Sequence, residues 1–286
     1  MPRSSHSDIE FFNYGNLRPG CSIYICQDAL LTFSTNILDN INVPFVLVSG
    51  DSDVPLTKTT PGFQEIVQNP HLTAWYAQNL KAQSKKVHPL PIGLDYHTVW
   101  EREGHFEPRR MSPLEQEAML RSILAAASLP KDRIPKAYCN WHFSMHGNRK
   151  GCLAQVATAA CHYEPAPIPR GQTWKNQAEF MFVLSPEGAG MDCHRTWEAI
   201  LLGAIPIVNQ NAIAPLFKRL PVIIVDDWGQ VTPQFLEKSY RKIENRKFAF
   251  SSLFLRYWTD QFRNRPPDRS FDGLAFDEFI RRAASL

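Results

Sequence analysis

The densest run of chemically capable residues is Ser185–Val208, SPEGAGMDCHRTWEAILLGAIPIV. An apolar stretch, Phe180–Leu184, leads into a loop holding Gly188 and Gly190, and a helix is expected over Asp192–Leu202. Glycines let a backbone approach a ligand closely, and a helix N-terminus offers N–H groups and partial positive charge. That combination suits a pyrophosphate, with Ser185, Glu187, Gly188, Gly190 and Asp192 as its lining. On the helix, His194, Arg195 and Glu198 share one face by their i,i+4 and i,i+3 spacing, opposite Trp197, Ile200 and Leu201. Arg195 has the fork to pair with phosphate oxygens. Glu198, a turn further in, can accept both hydroxyls of a ribose. The plainer alternative is a surface ion pair between Arg195 and Glu198.

These residues need a frame. SIYIC (Ser22–Cys26), PFVLVS (Pro44–Ser49), LTAWYA (Leu72–Ala77) and VHPLPI (Val87–Ile92) each end in polar loop residues and read as strands. Helices are expected over Asp28–Asn40 and Pro61–Asn69. This βα alternation belongs to an open, largely parallel sheet, whose ligands bind beyond the C-terminal strand ends. Pro108–Ala127 reads as a helix capped by Ser112. After Pro130 and Pro135 a second rhythm begins, with strands over Ala137–Phe143, Phe180–Leu184, Ala204–Val208 and Pro221–Val225. Helices are expected over Arg149–Ala160, Asp192–Leu202, Pro233–Lys247, Phe248–Phe262 and Ala275–Ala284. The expected fold is α/β with two Rossmann-like domains, residues 1–133 and 134–247, and a helical segment, 248–286, that crosses back.

Composition narrows the class. The 286 residues are 44% hydrophobic and 21% charged, which is globular. With 31 Lys plus Arg against 28 Asp plus Glu, the net charge of +3 argues against a nucleic-acid binder. Lys81, Lys85 and Lys86 read as a solvated face. No run approaches the roughly 20 apolar residues of a spanning helix, and MPRSSHSDIEFF has no apolar signal core. Six cysteines without a tight CxxC fit reduced thiols. A cytoplasmic or otherwise soluble protein is the expectation.

Ser185–Val208 resembles the nucleotide-binding signature of exostosin-like glycosyltransferases, and PVIIVDDW (Pro221–Trp228) is similar to that family too. VSGDSD, WYAQN and PIGLDYHT in the first half resemble its short viral or algal-type members. The resemblance implies a GT-B fold, two domains facing a cleft, and an inverting transfer from a UDP-sugar to a carbohydrate hydroxyl without a metal or other cofactor. The C-terminal domain would hold the nucleotide and the N-terminal one the acceptor. NWHFSMHGNR (Asn140–Arg149) would be the first strand and loop of the nucleotide domain, with Arg149 facing the diphosphate. Positive charge there stabilises the leaving group. Asp53, then Asp51 and Asp95, are the candidate bases at N-domain strand ends, with His97 beside them. Trp75, Tyr76 and Tyr96 are candidates for stacking on a sugar face, and core residues otherwise. Asp226-Asp227-Trp228 either touches the sugar or forms a turn.

Three other readings compete. Asp51-Ser52-Asp53 has the Asp-x-Asp pattern with which single-domain, metal-dependent transferases hold a divalent cation. Cys139-x2-His142-x3-His146, with Cys161-His162, has donor atoms for zinc, but the first set straddles a strand and a loop, and the second lacks metal-ligand spacing. A non-catalytic carbohydrate- or nucleotide-binding protein on the same scaffold is the third.

Overall fold

The computed structural model describes residues 9, 12–101, 107–141, 145 and 147–285. The chain forms two compact units. The first comprises Met1–Ile92, Ala189–Asp192 and Phe254–Arg269, and the second Gly93–Gly188, Cys193–Leu253 and Ser270–Leu286.

In the first unit, strands β1 (Cys21–Cys26), β2 (Phe45–Gly50), β3 (Leu72–Ala77) and β4 (Val87–Pro89) form one parallel sheet in the order β1-β2-β3-β4. Helices α1 (Leu30–Asn36) and α2 (Phe63–Gln68) supply the crossovers. The unbroken apolar run of β2 has a physical reason: every residue in it is buried. Phe45 and Leu47 pack with Phe33 and Phe63 on one face. Val46 and Val48 pack with Leu90, Trp258 and Phe262 on the other. A parallel strand covered on both faces is apolar throughout instead of alternating.

The second unit opens with α3 (Thr98–Glu101) and α4 (Pro113–Ala126), the latter closed by a reciprocal Ser112–Glu115 capping box. Its sheet contains β5 (Ile134–Cys139), β6 (Cys161–Tyr163), β7 (Phe180–Leu184), β8 (Ile205–Asn209) and β9 (Ile223–Val225). All are parallel, in the order β6-β5-β7-β8-β9. Helices α5 (Arg149–Gln155), α6 (Arg170–Glu179) and α7 (His194–Leu201) join the strands from β5 to β8, a 3-10 turn leads from β8 to β9, and α8 (Pro233–Ile243) follows β9. The order reverses at β5, because the chain goes outward to β6 and returns to place β7 on the other side.

The unit boundaries differ from those expected at 133/134 and 247/248. Helix α4 buries Leu120 and Ile123 against Trp174, Ala178 and Leu202, so it belongs to the second unit. Phe248–Phe262 is not one helix. It holds β10 (Lys247–Ala249), a 3-10 turn and α9 (Leu255–Phe262). β10 pairs antiparallel with β11 (Asp272–Ala275) before α10 (Phe276–Ala283). Helix α9 does return to the first unit, where Phe262 and Trp258 meet Tyr76 at ring separations of 5.2 and 6.4 Å. Such aromatic pairs are worth about 0.5–1.5 kcal/mol beyond the area they bury. Among the described residues no helix is long and apolar enough to cross a membrane.

Candidate functional site

In an open parallel sheet the ligand crevice lies beyond the C-terminal strand ends where the strand order reverses. In the second unit that point is between β5 and β7. The loops leaving those strands run to Arg149 and to His194, so the topology brings together the two segments singled out from the sequence.

They meet closely. The N–H of Asn148 donates to the carbonyl of Glu187 at 3.2 Å. Gly147 has a φ of 64°, and a Cβ there would lie 2.2 Å from the Gly188 carbonyl oxygen. A Cβ on Gly188 would lie 2.6 Å from Arg149 Nη2. Gly147 is therefore needed for the approach of the loops, whereas at Gly188 the missing side chain leaves room for the end of the Arg149 side chain beside the backbone.

Arg195 sits on the first turn of α7. Its Nε donates to the Leu184 carbonyl at 3.2 Å and its Nη2 to that of Pro186 at 3.3 Å. Its guanidinium carbon lies 5.1 Å from the ring centre of the buried Trp141. Nη1 makes no hydrogen bond among the described residues. Carbonyls and an aromatic face orient this cation without neutralising it. Glu187 is fixed by two amides. Asn209 Nδ2 and Asn211 Nδ2 reach its Oε1 at 2.9 and 2.8 Å. Trp141, Asn209 and Asn211 were not singled out in the sequence, although Asn209-Gln210-Asn211 at a strand end is a signal that could have found the amides.

Other expected residues are placed differently. The Ser185 hydroxyl is buried against Thr196 Oγ1 at 2.8 Å. His194 Nδ1 pairs with the Gly93 carbonyl at 2.8 Å. Glu198 is buried, and its ion-pair partner is Arg170 at 3.7 Å, so the surface Arg195–Glu198 pair is not what forms. Asp95 is in the second unit, not among N-domain strand ends. Its Oδ2 accepts from Arg170 Nη1 at 2.8 Å, and its Oδ1 meets His97 Nδ1 at 2.9 Å and the Thr98 N–H at 3.0 Å. Burial pushes this carboxyl upward, but the His97 hydrogen bond and the charges of Arg170 and His194, with the Thr98 N–H, hold it well below the usual carboxylate range. A carboxylate so stabilised is a poor proton acceptor, which corrects its assignment as a base. Tyr96 packs against the α4–α6 cluster. Its hydroxyl is pushed up to about 12 by burial and then by Glu117. His97 is exposed.

In the first unit, Asp51 and Asp53 follow β2 and are exposed. Asp51 adopts a φ of 57°, and its N–H donates to Gln78 Oε1 at 3.0 Å. Asp53 and Asn79 lie against Gly190. Asp192 is buried here, with its N–H on Asn79 Oδ1 at 3.0 Å, so it fixes a loop and does not line the nucleotide segment. Trp75 is 0% exposed and donates to Ser49 Oγ, so it is core, not a sugar platform. Asp227 Oδ1 accepts the Gly229 N–H at 2.7 Å, a turn. His142 and His146 of the zinc reading lie outside the described residues. Among the described residues no group of three His, Cys, Asp or Glu side chains could hold a metal ion.

No protein-family model matches the chain, and no curated protein matches its sequence.

Proposed function

We propose that the chain is an inverting glycosyltransferase of the GT-B type that moves a sugar from a UDP-sugar to a carbohydrate hydroxyl without a metal. The observation that carries this reading is that Arg149, opening α5, lies against Gly188 and Arg195, on the first turn of α7, donates to the Leu184 and Pro186 carbonyls, so both face the segment leaving β7 at the strand-order reversal of a parallel sheet. In the reaction the acceptor oxygen attacks the anomeric carbon. The bond from that carbon to the diphosphate breaks, and its electron pair leaves with the diphosphate. The acceptor proton goes to a base, for which Asp53 and Asp51 are the candidates the sequence offers. Arg149 and Arg195 offset the charge that develops on the diphosphate, and Glu198 accepts the ribose hydroxyls. No side chain caps α7 at Cys193, which leaves its dipole available to an anion.

The test is a thermal-shift series with UDP, GDP, ADP and CMP, each with EDTA and with Mn²⁺. A ligand at a hundred times its dissociation constant adds about 2.7 kcal/mol. A shift with UDP that survives EDTA, followed by turnover of a UDP-sugar, supports the reading. A shift only with Mn²⁺ transfers the site to Asp51 and Asp53. UDP binding without turnover of any UDP-sugar leaves the non-catalytic reading.

A further inference from the structure

Arg170 begins α6 and lies between two buried carboxylates, Asp95 at 2.8 Å and Glu198 at 3.7 Å. Its guanidinium carbon is 6.0 Å from the Trp174 ring centre, and Glu107 adds a third negative charge to its surroundings. The cation is thus more than neutralised, and an anion gains nothing by approaching it. Asp95 has its oxygens satisfied by Arg170, His97 and the Thr98 N–H. Glu198 does not. Its Oε1 is buried facing Arg170 without a hydrogen-bond partner among the described residues. The pair supplies charge compensation at a distance too long for a hydrogen bond. A buried carboxylate with its charge balanced and one oxygen left without a hydrogen bond favours a neutral O–H donor.

Resting on the proposed nucleotide site, we propose that Arg170 is a positioning residue. It holds the Glu198 carboxylate in place, with Asp95 holding Arg170 in turn, so that the site selects ribonucleotides over 2′-deoxyribonucleotides. Arg149 and Arg195 serve the diphosphate, and the Asp95–Arg170–Glu198 chain serves the sugar hydroxyls. The two functions separate by charge: guanidinium toward phosphate, compensated carboxylate toward hydroxyl.

Titrations of UDP, 2′-deoxy-UDP and inorganic pyrophosphate against the wild type, R170M and R170K test this. The wild type is expected to prefer UDP over the deoxy form by on the order of tenfold or more, the worth of one good hydrogen bond to a charged group. In R170M that ratio falls toward one while pyrophosphate affinity stays within about twofold, and R170K restores part of the ratio. A merely structural role would lower all three affinities together. Should R170M fail to fold, R170Q, which can still donate to Asp95, carries the same comparison. A wild-type ratio that persists unchanged in the Arg170 variant overturns the inference and leaves the nucleotide site standing. No discrimination in a wild type that binds UDP overturns it as well. A wild type that binds neither UDP nor pyrophosphate removes the functional reading itself.

Discussion

The carboxylate of Asp192 accepts the backbone N–H of Ile92 at 2.8 Å across 100 residues of sequence. With the Asp192 N–H on Asn79 Oδ1, it makes the segment Ala189–Asp192 part of the first unit. Asn79 itself adopts a φ of 48°, which Asn tolerates better than most residues, and its Nδ2 donates to the Ser52 carbonyl at 2.9 Å. Truncating Asp192 leaves a backbone donor without its acceptor. Asp192→Ala should therefore cost about 1.5–3 kcal/mol in urea unfolding. Asp192→Asn keeps an acceptor oxygen and should cost less. Equal midpoints for the wild type and Asp192→Ala would show that this bond contributes nothing net.

Gly147 allows no side chain. Its positive φ disfavours an L-residue by roughly 1–2 kcal/mol, and the Glu187 and Gly188 carbonyl oxygens occupy the space of a Cβ. Backbone, not a flexible side-chain end, would have to move. Gly147→Ala should separate the two loops, lowering UDP affinity at least tenfold by calorimetry while far-UV circular dichroism stays native. Unchanged UDP binding would mean that the loops need not meet.

Asp95 makes the acid limb of stability specific. Its folded-state pKa lies below its unfolded value of roughly 3.9. The stabilisation is thus fully present above that pH and is lost as pH falls from there toward the depressed folded value. Asp95→Asn cannot titrate. Its melting temperature should start lower at pH 7 and fall less steeply than the wild type between pH 4 and 2. Parallel curves would show that Asp95 gains nothing from Arg170 and His97.

Much of the frame was legible because burial writes itself into sequence. PFVLVS could only be a strand with both faces covered, and Phe180–Leu184 likewise. The reversal at β5 was not legible, because β6 has only three residues and α6 no strong apolar face. Arg170 is invisible in the sequence for the same reason, so the only ion-pair partner that spacing offers Glu198 is its helical neighbour Arg195, not a residue from another helix. Local spacing identifies which residues share a face, but not what packs against it. Trp75 shows the limit from the other side, since one aromatic in a strand reads alike as platform or core until its neighbours are known.

Cys161 and Cys139 offer a chemical check of the β5–β6 edge. A hydrogen bond from Cys139 holds the half-buried Cys161 thiol below the usual thiol range, against the opposing effect of burial, with Lys136 assisting. Cys139 is fully buried, and the same contact with burial pushes its thiol up. Iodoacetamide should modify Cys161 readily near neutral pH and leave Cys139 and Cys152 intact, as read by peptide mass mapping. In Cys139→Ala the pH midpoint of Cys161 labelling should rise. A midpoint that does not move would place the cause elsewhere.

Arg195 gives the sharpest separation of charge from geometry. Two carbonyls and the Trp141 face fix its guanidinium, so its contribution to a diphosphate is as much direction as charge. Lysine keeps the charge but has neither the planar fork nor the stacking surface. If direction matters, Arg195→Lys should weaken UDP binding about tenfold, roughly 1.4 kcal/mol. Arg195→Met, which removes the charge as well, should weaken it by about another tenfold. The Arg195→Lys loss should shrink little between 50 and 300 mM salt, because fixed short contacts are screened less than distant charge. A lysine variant that binds UDP as well as the wild type at low salt, and loses that binding as salt rises, would mean that the second unit attracts the diphosphate by field alone. Trp141 would then be a core residue that happens to touch a cation, and Trp141→Phe would leave affinity unchanged. Should the fork be what matters, Trp141→Phe keeps a weaker aromatic face and should fall between the wild type and Arg195→Lys.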